Sequence, residues 1–423
     1  MSRGGPATIS GCSVHCLGVL GLGWGTGSLA SHAGVRPDRD AGVGVGAAKL
    51  RTLELGRFLA ATIIVLTHLL LWVNKLAAPG TGPLLGGWRP PGAFGVTYFF
   101  VLSGFVMMTA HHRDWGDAAA VPRFWWRRLC RIYPTYWLAL LIPVYYLHST
   151  VAPASLAQMY LLSPWHDKDF IPAAWSLRHE LVFYFFFGLA LMPRVGRPIL
   201  ALWIGATLWR WVPWPVLDML RLPHPTWLNH VVETYLGERL FSYFNFYFIA
   251  GLAAGWIFLK RRPGPRASLA LVALGVVTIL ATLPEIDWGR DYGTPAMMMR
   301  MSVLFAVTLL GLAALEDHGM LRLGRFADRA GALSYPLYIL HMPLLLALEL
   351  NLPAFSAGGW ALHGLFLAGL LLLSAASLLV SVTFDQPMQR ALRALGRHLG
   401  GLRTRPTADS LSGEAVAPQP PSF

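Results

Sequence analysis

The sequence predicts an all-α, polytopic membrane protein with about ten transmembrane helices, on three observations. Of its 423 residues, 55% are hydrophobic and only 13% are charged, at a mean hydropathy of +0.50, whereas a soluble domain carries about 25% charged residues. Apolar stretches long enough to cross a hydrocarbon layer of about 30 Å recur near 53–73, 94–110, 134–150, 173–192, 199–215, 241–259, 267–283, 296–315, 333–351 and 360–383. The basic residues, finally, are unevenly shared between the connecting loops. With a cytoplasmic N-terminus, the inner loops hold 14 Lys and Arg against 7 in the outer loops, and the tail after the last span adds five arginines. That is the positive-inside pattern, with both termini in the cytoplasm. The net charge of +13 therefore faces anionic lipid or a cytoplasmic anion rather than nucleic acid.

Three regions follow. Residues 1–48, rich in Gly, Ala and Ser, read as an irregular extension; 49–395 form the transmembrane domain; and 396–423 read as a disordered cytoplasmic tail. Cys12, Cys16 and Cys130 give neither a disulfide framework nor metal-ligand spacing. No metal is expected, and His166-Asp167-Lys168-Asp169 reads as a solvated loop.

Span by span, the polar residues carry the chemistry. The first buries Arg57 and His68, eleven residues apart. At about 100° per residue they share one helix face, about 16 Å apart along the axis. Ionisable groups within a span mark an internal cavity or a site, although Arg57 reaching a headgroup and His68 bonding a neighbouring helix is the plainer account. In the second span Ser103-Gly104 reads as a close-packing pair. A nucleophilic serine would need a strand–turn–helix elbow that is missing.

Ahead of the third span lies the cytoplasmic stretch FWWRRLCRIYP, where Arg128 and Arg131, three residues apart, share a helix face. They suit either anionic headgroups or a phosphate clamp, since the guanidinium fork matches phosphate geometry. Glu180 enters the fourth span near its outer end, at a depth comparable with His68. There it can hold an imidazole's tautomer, or pair with Arg178. Ser334, Tyr338 and His341 fall on one face of the ninth span, where an interhelical hydrogen bond accounts for the histidine.

From Leu53 to Arg390 these segments resemble, in order and spacing, the acyltransferase-3 family of membrane acyltransferases. The motifs are Arg57 and His68, FFVLSGF (Phe99–Phe105), RLCRIYP with Arg128 and Arg131, WSLRHELVFY (Trp175–Tyr184) and SYPLYILH (Ser334–His341). The resemblance implies ten helices and transfer of an acyl group, acetyl or another short chain, from acyl-CoA to a hydroxyl of a carbohydrate or glycosylated acceptor. It implies that His68 serves catalysis, that Arg128 and Arg131 serve the CoA end with Arg57 assisting, and that Glu180 fills the family's acidic position. Ser103, Ser334, Tyr338 and His341 support the site. Acyl-CoA is then a co-substrate with no permanently bound cofactor, in a bacterial plasma membrane. The family commonly has Glu-x-Pro after the last span, where this chain has Asp385-Gln386-Pro387, a departure that lessens the role expected of that corner. On this reading His68 is the general base and Glu180 orients either His68 or the acceptor. The competing class is a secondary transporter using Arg57, His68 and Glu180 as a relay, for which internal repeats would speak and none stands out.

Overall fold

The computed structural model describes residues 50–148, 152–165, 169–211, 221, 235–283, 295–352 and 358–403. These residues are helical, with no β-strand among them. The helices are α1 (Arg51–Lys75), α2 (Gly92–His111), α3 (Ala120–Leu147), α4 (Pro153–Tyr160), α5 (Trp175–Ala190), α6 (Gly196–Trp211), α7 (Tyr235–Leu240), α8 (Asn245–Arg261), α9 (Pro265–Thr282), α10 (Pro295–Asp317), α11 (Arg325–Asn351), α12 (Trp360–Val380) and α13 (Gln386–Arg403).

Seven helical segments are long and apolar enough to cross a membrane: α1, α2, Gly237–Arg261, α9, Met297–Asp317, α11 and Trp360–His398. The protein is a multi-pass membrane protein, but the expected ten spans are not reached among the described residues. The three remaining candidates fall short for physical reasons. The first half of α3 carries Arg123, Arg127, Arg128 and Arg131. At 16 residues each, α5 and α6 are only about 24 Å long.

The expected extension 1–48 lies outside the described residues. So do 404–423, but 396–403 continue α13 rather than opening a disordered tail. The expected boundary at 395/396 thus falls inside a helix. Its alternation of apolar residues with Arg390, Arg393 and Arg397 is that of an amphipathic surface helix.

The first helix is the centre of the assembly, packed against α2, α11, α12 and α10. Ala61, Ile64, Val65 and Leu69 are buried along it. No side chain of its own caps its start. Glu316 of α10 does so instead, accepting from Arg51 N at 2.7 Å and Thr52 N at 2.8 Å, which places a carboxylate at the positive end of the helix dipole. This fixes α1, and with it Arg57 and His68, along the bundle axis. Close crossing of α2 and α8 depends on glycines, because a Cβ at Gly104 would strike the Phe248 carbonyl and one at Gly251 the Val101 carbonyl. Pro336 in α11 leaves the Ala332 carbonyl without its helical donor. Ser381 Oγ supplies one at 3.3 Å from the π-turn Ser381–Asp385 between α12 and α13.

Candidate functional site

Two cavities occupy the bundle interior and share Val96 as a lining residue. One, about 300 Å³, lies towards the end where α3 begins and is bordered by α1, α2, α3, α5, α11 and α13. The other, about 680 Å³, lies towards the end where α2 begins and contains His68. Arg57 lines the first and His68 the second, so the single polar stripe of α1 connects them.

Arginines dominate the first cavity. Arg57, Arg127, Arg128, Arg131 and Arg393 line it, with Glu180 the one carboxylate among the described lining residues; Arg57 also pairs with Glu54 at 3.5 Å. Arg128 is held in place rather than neutralised. Its guanidinium carbon sits 5.5 Å from the ring centres of both Phe124 and Tyr184, and Nη2 donates to His111 Nε2 at 3.2 Å. Since arginine only donates, His111 carries its proton on Nδ1 and gives it to Asp114 at 2.7 Å. The Arg128 Nε is buried with no hydrogen-bond partner among the described residues, an unmet donor beside the cavity. Arg131 faces Asp385 at 3.5 Å and the Tyr335 ring at 5.2 Å.

Asp385, 2% exposed, is a junction rather than the minor corner expected. It accepts from Thr135 Oγ1 at 2.6 Å and from Gln389 Nε2 at 2.9 and 2.8 Å on its two oxygens. Thus α3, the π-turn and α13 meet on one carboxylate.

Glu180 belongs to the arginine cavity. Ser103 Oγ donates to its Oε1 at 2.8 Å and Tyr184 OH at 2.5 Å. The structure therefore places it with Ser103 and Tyr184, not with His68. Arg178 does not pair with it either, being fully buried against Asp169. That also removes Asp169 from the expected solvated loop, whose other residues, 166–168, lie outside the described residues. The packing expected of Ser103-Gly104 is divided: Gly104 receives α8, and Ser103 serves Glu180.

In the second cavity His68 lies beside Thr67, Trp88, Arg89 and Trp175. Its Nδ1 is 3.0 Å from Nε2 of the fully buried His341. His341 Nδ1 is 2.5 Å from the Tyr338 carbonyl, which can only accept, so Nδ1 bears the proton and Nε2 is bare. His68 must then donate from Nδ1, leaving its Nε2 lone pair as the free basic atom. Tyr338 OH in turn donates to the Ala173 carbonyl at 2.8 Å and receives Ser176 Oγ at 2.7 Å, fixing α11 to the start of α5. Ser334 Oγ donates to the Gly331 carbonyl in its own helix at 2.7 Å, and its residue lines the arginine cavity.

The structure thus gathers Arg57, Arg128, Arg131, Glu180, Ser103, Ser334 and Tyr338 around one cavity, and pairs His68 with His341 beside the other. Sequence inspection missed Asp114, Gln389 and Arg393, gave His111 and Tyr184 no role of their own, and discounted Asp385. His111 and Asp114 carried a faint signal, a histidine three residues before an aspartate at a helix end.

Residues 50–385 match the family model Acyl_transf_3, described as an acyltransferase domain. The chain belongs to the acyltransferase-3 family. It is similar to the exopolysaccharide production protein ExoZ of Rhizobium meliloti (strain 1021), at 28% identity over 277 residues, covering 59% of this chain and 75% of that protein. No solved structure matches significantly.

Proposed function

We propose that this protein is a membrane O-acyltransferase that takes an acyl group from acyl-CoA in the arginine cavity and delivers it to a carbohydrate hydroxyl held beside His68. The observation that carries the reading is the pair of adjoining cavities, one cationic and one bearing an imidazole with a free basic nitrogen, on a single face of α1. Guanidinium forks suit phosphates, so the diphosphate of the donor lies against Arg128 and Arg131, with Arg57 further in. The thioester arm then runs past Glu180 and Tyr338 towards His68. The acceptor hydroxyl gives its proton to His68 Nε2 as its oxygen attacks the thioester carbonyl carbon. The new C–O bond forms, the C–S bond breaks, and the departing thiolate takes the proton back from His68. Glu180 positions the donor through Ser103 and Tyr184, and His341 positions His68.

A carbohydrate acceptor is supported by the relative's association with exopolysaccharide production and by the indole rings of Trp88 and Trp175 lining the His68 cavity, which suit sugar faces. Loop charge supports an orientation with both termini and the arginine cavity cytoplasmic, in a bacterial plasma membrane. The acyl group is acetyl or another short chain, as the family resemblance implies.

The decisive experiment is acetyl-CoA binding to nanodisc-embedded protein, followed by release of free thiol on adding exopolysaccharide oligosaccharides. Saturable binding lost in Arg128→Ala/Arg131→Ala but retained in His68→Ala, with thiol release lost in both, supports the proposal. Folded wild type that binds no acetyl-CoA, but drives proton-coupled uptake in vesicles, would replace it with a transporter.

A further inference from the structure

We propose that α13 completes the donor cavity with a phosphate subsite made by Arg393 and Arg127, and that this subsite takes the 3′-phosphate on the ribose of coenzyme A. The inference rests on the acyl-CoA reading above and extends it onto a helix beyond residue 385, where the family match ends.

Charge is the first support. Five arginines line the cavity; Arg57 and Arg131 each face a carboxylate at 3.5 Å, Glu54 and Asp385, whereas Arg393 faces none among the described residues. The arginines are also ordered by depth. Arg128 and Arg131 are half-buried and braced by the rings of Tyr184 and Tyr335, whereas Arg127 and Arg393 are exposed. In acyl-CoA the order outward from the thioester is pantetheine arm, diphosphate, then ribose with its 3′-phosphate. An arm directed at Glu180 and Tyr338 puts the diphosphate at the inner pair and leaves the ribose phosphate at the rim.

The rim is built rather than incidental. Gln389 and Arg393, four residues apart, share a face of α13, and both line the cavity. That face is anchored through Gln389 to both oxygens of Asp385. One turn on, Trp126 Nε1 donates to the Leu392 carbonyl at 3.2 Å, and Gly396 leaves room for the indole. Trp126 adjoins Arg127, so the contact that holds α13 also brings the two exposed guanidiniums to the same rim. Both are available to an anion: Arg393 makes no ion pair or hydrogen bond among the described residues, and Arg127 only reaches Asp114 at 3.9 Å.

Acetyl-CoA and 3′-dephospho-acetyl-CoA, titrated into protein in phosphatidylcholine nanodiscs, distinguish this subsite from a surface helix that merely touches lipid. Wild type should bind acetyl-CoA roughly tenfold or more tightly than the dephospho form, as expected of charge-assisted hydrogen bonds. Arg393→Ala and Arg127→Ala should weaken acetyl-CoA alone, bringing the ratio towards one. Arg393→Lys should keep part of the preference, and Arg397→Ala, on α13 but not lining the cavity, should keep all of it. Equal weakening of both ligands by Arg393→Ala, or no weakening of either, overturns the subsite while leaving the donor site intact. Binding of neither ligand by folded wild type instead overturns the donor reading, and the subsite with it.

Discussion

His341 Nε2 and His68 Nδ1 lie 3.0 Å apart, and the Tyr338 carbonyl 2.5 Å from His341 Nδ1 sets the direction of the proton between them. A neutral imidazole has one donor and one acceptor nitrogen, so this relay frees His68 Nε2 towards its cavity. His341→Ala should lower kcat roughly tenfold or more while leaving acetyl-CoA binding unchanged. His341→Gln, whose amide oxygen can accept from His68, should recover part of the loss. Steady-state kinetics with donor titrated at saturating acceptor separates the two parameters. Full turnover in His341→Ala would remove the relay from the mechanism.

Glu180 sits among the arginines, accepting from Ser103 and Tyr184. Its negative charge opposes a polyanionic donor electrostatically even as its hydrogen bonds shape the passage. Glu180→Gln should therefore bind acetyl-CoA as tightly as wild type or tighter, with a lowered kcat. Ser103→Ala removes one of the bonds that hold Glu180 and should lower kcat in the same direction. An increased Kd for acetyl-CoA in Glu180→Gln would instead make the carboxylate a direct donor ligand.

The helices and the chemistry-bearing residue types were legible in the sequence because hydropathy and spacing along one helix are local properties. Arg57 and His68 do share a face of α1, and Arg128 and Arg131 do line one cavity. Depth across helices was not legible. Glu180 was expected level with His68, yet Trp175 borders the His68 cavity and five residues of helix, about 7.5 Å, carry Glu180 into the other one. Bonds between helices fix that offset, Ser176 to Tyr338 and Ser103 to Glu180 among them. Asp385 was undervalued for a similar reason, since its partners come from positions as far away as Thr135 and Arg131.

Asp385 joins three elements, so its removal should disturb both stability and donor binding. In Asp385→Ala, Arg131 loses its carboxylate, Thr135 its acceptor, and α13 its tether through Gln389. Breaking one partner out of a buried charged pair costs about 3–5 kcal/mol, which predicts a clear fall in thermal midpoint. Acetyl-CoA affinity should fall as well, because Arg393 rides on the released helix. Thermal unfolding and binding in the same nanodisc preparation check both effects. A lower midpoint with unchanged affinity would show that α13 contributes nothing to the donor.

Gly104 lies beside Ser103 but has an entirely structural task, and substituting each in turn should separate the two. A Cβ at position 104 meets the Phe248 carbonyl and the Leu252 amide, both backbone atoms of α8, and the reciprocal crossing at Gly251 leaves no slack. No rotamer change can relieve such a contact, so the helices must part. Overpacking of this kind costs about 1–3 kcal/mol, and separation also forfeits the close approach that holds helices together in lipid. Gly104→Ala should therefore lower the thermal midpoint and the yield of folded protein. Molecules that do fold should keep a donor affinity near wild type, because Ser103, about 100° round the helix from Gly104, faces Glu180 of α5 rather than α8. Ser103→Ala should do the reverse, leaving the midpoint nearly unchanged while slowing turnover. If Gly104→Ala matched wild type in stability, the α2–α8 crossing would be looser than the backbone contacts at Phe248 and Val101 imply.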